Sequence, residues 1–127
     1  MKTILVDAIN TFVIANKGIF EEMYIILERY PNRKIILTGA NDEQMKKFEL
    51  DNMPYEVFTL RHNPEKTDPN YYKIMLKHFN LSSKEVIYFE HNKEAVKSAQ
   101  FVGIKTLHYN KDKRDLIALK KFIDENL

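Results

Sequence analysis

Short runs of apolar and β-branched residues alternate with longer amphipathic segments along this chain, and this alternation limits the fold more than any other feature. Several runs, such as TILV and VIYF, are apolar nearly throughout, which is typical of strands that helices cover on both faces of a parallel sheet. We predict five such strands, each of ordinary length: Thr3–Val6, Lys34–Leu37, Glu56–Leu60, Glu85–Phe89 and Ile104–Leu107.

The segments between and after these runs have apolar residues at helical spacing and carry helix boundary signals. The predicted helices are Ile19–Tyr30, a segment capped by Asn41 that includes Met45, Phe48 and Leu50, a segment from Asp68 to Phe79, one from Asn92 to Gly103, and one from about Asp112 to Glu125. This alternation implies right-handed crossovers. We therefore predict one α/β domain over residues 1–127, a three-layer α/β/α sandwich with a five-stranded parallel, Rossmann-like sheet.

Composition excludes several classes of protein. Hydrophobic residues make up 44% of the chain and charged residues 30%, which argues against a disordered protein. Because the chain has no Cys, disulfides, thiolate chemistry and Cys-ligated metal centres are excluded. The 20 basic and 18 acidic side chains leave a net charge of +2, so we expect neither nucleic acid nor a membrane as a partner. No run approaches the roughly 20 apolar residues of a membrane span or forms a signal-peptide core, so we expect a cytoplasmic protein.

Polar residues follow the predicted strands, at the edge where an open parallel sheet binds its ligands. The loops at this edge are Asp7–Thr11, Thr38–Asn41, Arg61–Lys66 and Glu90–Asn92. The chain's three glycines, Gly18, Gly39 and Gly103, form no glycine-rich phosphate loop, which argues against dinucleotide or P-loop nucleotide binding. The remaining histidines lack metal-ligand spacing, and we interpret them as structural or exposed: His62, His78 and His108.

In this order, these residues resemble the haloacid dehalogenase (HAD) superfamily, whose commonest members are phosphatases. The segment ILVDAINTF resembles the first family motif, a strand followed by D-x-D-x-T, and IILTGA resembles the second. The stretch from Glu65 to Tyr109 is similar to the family's K-P-D-P segment and the helix, strand, helix and strand that follow it. Lys66 stands at the position of the family's lysine, and Glu90-His91 at that of its acidic pair. The resemblance covers nearly the whole chain.

The resemblance implies aspartyl-phosphate chemistry with two catalytic residues, the nucleophile Asp7 and Lys66. It assigns phosphate contacts to Asn10, Thr11, Thr38, Gly39 and Lys66. It also implies a Mg²⁺ ion held by Asp7, the backbone carbonyl of Ile9 and Glu90. The expected partner is a phosphorylated small molecule or macromolecule.

Two positions depart from the family pattern, and both bear on activity. Ile9 replaces the second aspartate of the first motif, which serves the family as general acid and base. His91 replaces the second acid of the fourth motif, and imidazole is a poor magnesium ligand. We therefore expect weak or lost phosphatase activity and weak or no Mg²⁺ binding. The alternative is a non-catalytic binding or regulatory module that keeps the fold. A response-regulator receiver ranks low, because Leu60-Arg61-His62 offers no acceptor aspartate after the third strand.

The spacing of the motifs leaves no room for the cap domain that family members insert after the first or second motif. Asp7 to Thr38 accommodates one helix, and Thr38 to Lys66 accommodates a helix and a strand. We therefore expect a HAD-like core domain without a cap and with an open site. Such a site suits macromolecular substrates, or a homo-oligomer in which a neighbouring subunit covers it.

Overall fold

The computed structural model describes all residues from 1 to 127. Seven strands and five α-helices follow one another as β1 Thr3–Asp7, β2 Val13–Ile14, β3 Gly18–Ile19, α1 Glu21–Leu27, β4 Lys34–Thr38, α2 Asp42–Lys47, β5 Glu56–Thr59, α3 Pro69–Phe79, β6 Val86–Glu90, α4 Lys93–Phe101, β7 Lys105–His108 and α5 Leu116–Asn126. A single 3-10 turn, Ser83–Glu85, precedes β6. None of the helices combines the length and the apolar character that crossing a lipid bilayer requires.

Five of the strands form one parallel sheet in the order β5-β4-β1-β6-β7. The predicted α/β sandwich with a five-stranded parallel sheet is confirmed, and each predicted strand lies within two residues of its observed bounds. All five residues of β1, β4 and β6 are buried, as expected for strands covered on both faces.

Alternate side chains of each strand enter two separate apolar clusters, one on each face of the sheet. In β1, Ile4 and Val6 join α1 and α5 on one face, where Met23 and Ile123 are buried. Leu5 points to the other face and packs with residues of α3 and α4. Because side chains alternate with a period of two, both faces of the sheet pack against helices, and this packing fixes where the strand ends lie.

The structure differs from the predicted elements mainly between β1 and β4. A two-stranded antiparallel hairpin pairs Val13 with Ile19, and α1 therefore begins at Glu21 rather than at Ile19. Two-residue strands are too short to show a pattern in the sequence, and Ile19 also fits the apolar spacing of the following helix. Gly18, at φ +84°, supplies the left-handed conformation that the hairpin turn needs.

Two helix boundaries also differ. Helix α2 ends at Lys47, because Glu49 adopts a left-handed backbone, so Phe48 and Leu50 pack from the segment after the helix. Helix α5 begins at Leu116, where the carboxylate of Asp115 accepts the amide proton of Ala118 at 3.0 Å. Capping thus decides a boundary that apolar spacing alone places too early.

Candidate functional site

The candidate site lies at the carboxyl ends of β1 and β6, where the order of the sheet reverses. The chain passes from β1 to β4 and β5 on one side and then crosses to β6 and β7 on the other. Such a switch point opens a crevice between the loops of neighbouring strands. Asp7 is the last residue of β1 and Glu90 is the last residue of β6, so both carboxylates reach this crevice.

A tight loop after β1 places the hydroxyl of Thr11 against the carboxylate of Asp7. The amide groups of Thr11 and Val13 both donate to the carbonyl of Ala8, at 3.2 and 2.9 Å. Asn10 adopts a left-handed conformation, with φ +71°, that asparagine tolerates better than most residues. The turn lets Thr11 Oγ1 donate to Asp7 Oδ2 at 2.6 Å, and both side chains are buried.

Lys66 joins the two carboxylates. Its Nζ lies 2.7 Å from Asp7 Oδ1 and 2.6 Å from Glu90 Oε1, and it also donates to the carbonyl of Leu37 at 3.3 Å. The lysine side chain is only 13% exposed, so its three donors are committed inside the protein. Asp7, Lys66 and Glu90, to which the family resemblance assigns catalytic and metal-binding roles, thus lie together in the structure.

His91 adds a second basic side chain to this group. Its Nδ1 contacts Asp7 Oδ2 and lies 3.3 Å from Glu90 Oε2, while its backbone amide donates to Asp7 Oδ2 at 3.3 Å. The carbonyl of His91 is held in turn by His108 Nε2 at 2.9 Å. We call Asp7, Lys66, Glu90 and His91 the buried cluster.

The pKa values of the buried cluster depart from ordinary values because burial and charge pairing compete. Burial alone would raise the pKa of Asp7, but the ammonium of Lys66 and the hydrogen bond from His91 hold it well below its usual range. Burial alone would lower the pKa of Lys66, but the charges of Asp7 and Glu90 raise it well above its usual value. Burial would likewise lower the pKa of His91, and its contact with Asp7 raises it. Burial and the charge of Asp7 raise the pKa of Glu90.

A pair of tyrosines beneath Glu90 extends the network into the core. Tyr88 donates to Glu90 Oε1 at 2.5 Å, and Tyr72 lies 3.5 Å from the Tyr88 hydroxyl. The sequence analysis did not single out either residue as part of the site. Tyr88 lies two residues before Glu90 in a strand, so the period-two rule would have placed them on the same face. Tyr72 arrives from α3 and could not be paired with Tyr88 without the fold.

The predicted phosphate contacts occupy different parts of the site. Thr11 contacts Asp7 directly, whereas the hydroxyl of Thr38 accepts the amide proton of Ala40 at 3.1 Å within its own turn. Gly39 lines a cavity of about 170 Å³ together with Lys66, Glu90 and His91. Asn10 is exposed on the loop. The side chain of Ile9 packs against the apolar core. It carries no group that could exchange a proton.

A second group of polar residues surrounds His62 and Glu65, which line this cavity; all of its members except the half-buried Gln44 are exposed. His62 Nδ1 lies 3.0 Å from Glu65 Oε2, and His62 Nε2 lies 2.6 Å from Gln44 Oε1. Arg61 pairs with Asp42 at 2.8 Å. We call these five residues the exposed cluster. The sequence prediction interpreted His62 as structural or exposed; it is exposed and also lines the cavity, with Glu65.

No family model and no curated protein matches the sequence, whereas several solved structures match the fold. An uncharacterised protein from Corynebacterium glutamicum aligns with 98% of this chain and 96% of its own, with a TM-score of 0.65 and 12% identity. The core domain of a proposed phosphoglycolate phosphatase from Streptococcus pneumoniae has a TM-score of 0.58 and 16% identity, covering 84% of this chain and 78% of that one.

A third match is a HAD-family enzyme from Bacteroides thetaiotaomicron, an aspartate-to-alanine variant in complex with magnesium and inorganic phosphate. It has a TM-score of 0.57 and 20% identity, covering 68% of this chain and 51% of that one. At these identities the likeness is one of fold. The chain has a HAD-like fold, as the sequence resemblance predicted.

The residues of the site do not suit a magnesium ion such as the one in the complex of the Bacteroides thetaiotaomicron enzyme. All four oxygens of Asp7 and Glu90 already face donors of the protein: Lys66, Thr11, His91, Tyr88 and the amide of Asn92. Two of these donors belong to basic side chains, which oppose a divalent cation. The third candidate ligand of the group, His91, offers nitrogen where magnesium prefers oxygen.

Proposed function

From the HAD-like fold and the buried cluster, we propose that the chain is a phosphatase-type HAD hydrolase domain with weak or lost turnover. Asp7 would be the nucleophile, or the remnant of one, and Lys66 would offset negative charge at the reacting phosphoryl group. The observation that carries this proposal is the bridge from Lys66 Nζ to Asp7 Oδ1 at 2.7 Å and to Glu90 Oε1 at 2.6 Å, at the switch point of the sheet.

The proposed ligand is a phosphorylated small molecule or macromolecule. Gly39 and Lys66 line the cavity, and Thr38 stands at the end of the neighbouring strand β4. We also propose that the domain has no cap, since only β2, β3 and α1 lie between β1 and β4, and only α2 lies between β4 and β5. An uncovered cavity of about 170 Å³ has room for a phosphoryl group but not for a whole large ligand.

The proposed reaction begins when an oxygen of Asp7 attacks phosphorus and the bond to the leaving oxygen breaks. The phosphoryl group would pass to Asp7 as an acyl phosphate, which water then hydrolyses to regenerate the carboxylate. The leaving oxygen needs a proton that Ile9 cannot give, so leaving groups that depart as anions are favoured. Without a general acid the step is slower by about 10²–10⁴-fold for leaving groups that need protonation.

Two features of Asp7 support slow turnover. The Asp7 side chain is only 3% exposed, and its lowered pKa marks a weakly basic and therefore weak nucleophile. Contact with substrate would require Asp7 to exchange at least one of its bonds to Lys66, Thr11 or His91. The same observations favour the second candidate function, a non-catalytic module that recognises a phosphorylated partner, because every carboxylate oxygen of the cluster is already satisfied.

Hydrolysis assays with acetyl phosphate, p-nitrophenyl phosphate and an alkyl phosphate test the proposal. Asp7→Asn removes the nucleophile while keeping its shape, and Asp51→Asn, at an exposed position, is the matched control. We expect slow, Asp7-dependent hydrolysis of the first two substrates and none of the third. Alkyl phosphate hydrolysis as fast as that of acetyl phosphate would contradict the assigned loss of the general acid.

A second measurement separates lost turnover from a different function. Amide chemical shifts are followed by NMR while inorganic phosphate is added to the wild type. If Asp7→Asn leaves every rate unchanged but phosphate shifts the signals of Gly39 and Lys66, the non-catalytic module is supported. If phosphate shifts neither signal and no rate depends on Asp7, the assignment of a phosphoryl site is wrong.

A further inference from the structure

The imidazole of His91 lies where the two buried carboxylates converge. Its Nδ1 contacts Asp7 Oδ2 and lies 3.3 Å from Glu90 Oε2. The potential ligand atoms of these three side chains all lie within 4.8 Å of one another. Two carboxylates brought this close require positive charge or hydrogen-bond donors between them. In this protein, a side chain of the chain itself occupies that place.

The other oxygen of each carboxylate is committed as well. Lys66 Nζ joins Asp7 Oδ1 to Glu90 Oε1, and Tyr88 donates to Glu90 Oε1 at 2.5 Å. A divalent cation entering the cluster would have to displace these donors and would face the ammonium of Lys66 at short range. The protein ligands available to it would be two carboxylates and one imidazole, a poor set of ligands for a cation that selects oxygen.

We propose that His91 takes the place of a divalent metal ion in this pocket, so that the domain holds its phosphoryl ligand without a metal. The inference that the wild type is metal-free stands on the buried cluster alone. The identity of the ligand rests on the proposed function. The two parts can therefore fail separately.

A single substitution should reverse this arrangement. His91→Asp removes the imidazole and supplies a third carboxylate at the same point. We expect Mg²⁺ to bind this variant at least about tenfold more tightly than it binds the wild type, because a carboxylate oxygen replaces a nitrogen that magnesium avoids. Asn16→Asp is the matched control, since it adds a carboxylate on the exposed β2–β3 turn, at a left-handed position that aspartate tolerates.

Titration calorimetry and thermal melting with Mg²⁺ provide the first test. We expect no binding heat and no metal-dependent melting shift in the wild type or in Asn16→Asp, and both effects in His91→Asp. Mg²⁺ binding by the wild type as tight as by His91→Asp would overturn the proposal. If neither binds Mg²⁺, His91 is not what excludes the metal, and the proposal is likewise wrong.

A measurement on the wild type alone does not depend on the folding of any variant. Mn²⁺ broadens the NMR signals of nuclei close to its binding site, so the His91 ring and Thr11 amide signals report on the cluster. We expect no selective broadening of either signal as Mn²⁺ is added. Selective broadening of both would place a metal in the cluster and overturn the proposal.

Phosphate binding with and without a chelator tests the ligand. We expect inorganic phosphate to shift the Gly39 and Lys66 signals equally in the presence of Mg²⁺ and of EDTA. A shift that requires Mg²⁺ would overturn metal-free binding. If phosphate shifts neither signal, the ligand part fails together with the proposed phosphoryl site, while the calorimetric result still decides whether His91 replaces a metal.

Discussion

The buried cluster and the exposed cluster stabilise their charged side chains in opposite ways. In the buried cluster, the side chains of Asp7 and Glu90 are 3% and 1% exposed, and each lies against more than one donor. In the exposed cluster, the side chains of Arg61 and Asp42 are 67% and 77% exposed, and each has one partner. Charges removed from water must be paired, because desolvation penalises any that are left alone. Exposed charges keep their hydration, so their pairing is optional.

This contrast explains where function is expected to lie. The pKa values of all four members of the buried cluster are shifted, whereas only His62 and Glu65 of the exposed cluster reach the cavity, at its solvated rim. Strongly perturbed groups collected in a crevice are typical of functional sites. Removing a charge from the buried cluster should therefore affect stability very differently from removing one from the exposed cluster, and this difference can be measured.

The largest expected effect is that of Lys66→Met, which keeps the length of the side chain but removes its charge. Asp7 and Glu90 would then share the crevice with only His91 to balance them. We expect a loss of about 3–5 kcal/mol in the free energy of unfolding, the usual cost of removing one partner of a buried charge pair. Urea denaturation followed by circular dichroism measures this loss.

The matched variant in the exposed cluster is Arg61→Met, which breaks the 2.8 Å pair with Asp42. An exposed pair of this kind contributes about 0.2–1 kcal/mol, and salt screens it. Equal losses for Lys66→Met and Arg61→Met would contradict the distinction between the two clusters.

The sequence predicts the positions of those cluster residues that lie at strand ends. Asp7 and Glu90 end strands that are recognisable from apolar runs, and parallel strands bring their carboxyl ends to one edge of the sheet. Lys66, by contrast, lies in a loop whose path no periodicity describes. Its place in the site was predicted from the family resemblance alone, and in the structure its ammonium group contacts Asp7 and Glu90.

The parts that were not predicted depend on contacts between distant elements. His62 meets Gln44 because the loop after β5 lies against the start of α2, although the two residues are 18 positions apart. Tyr72 reaches Tyr88 only because α3 covers the face of β6. The β2–β3 hairpin is held by a turn and by pairing over four residues, too few for a recognisable pattern. Local sequence patterns do not predict such contacts between elements that are distant in the chain.

A smaller effect is expected inside the buried network from Tyr88→Phe. This variant removes the donor at 2.5 Å from Glu90 Oε1 but leaves the contact of Lys66 in place. We expect a loss of about 1–3 kcal/mol, the range for leaving a buried acceptor short of one partner. Tyr72→Phe is the control, because its hydroxyl lies 3.5 Å from that of Tyr88 and forms at best a weak bond. Losses of the same size in both variants would mean that the bond from Tyr88 to Glu90 contributes no more than the weak contact between the two tyrosine hydroxyls.

The smallest effect is expected for an exposed pair remote from the cavity, in which Tyr30 donates to Asp124 Oδ1 at 2.5 Å. Partial burial and the bond to Asp124 raise the pKa of Tyr30 from its usual 10 to about 12. A pKa raised by folding stabilises the protein fully below the unfolded value of 10, and this contribution declines as the pH rises to about 12.

Tyr30→Phe should therefore lower the free energy of unfolding by at most about 1 kcal/mol at neutral pH, and by progressively less between pH 10 and 12. Asp124→Asn in both backgrounds completes a double-mutant cycle that isolates the pair. A difference between wild type and Tyr30→Phe that stays constant to pH 12 would show that the ionisation of Tyr30 is not coupled to folding, contrary to the raised pKa.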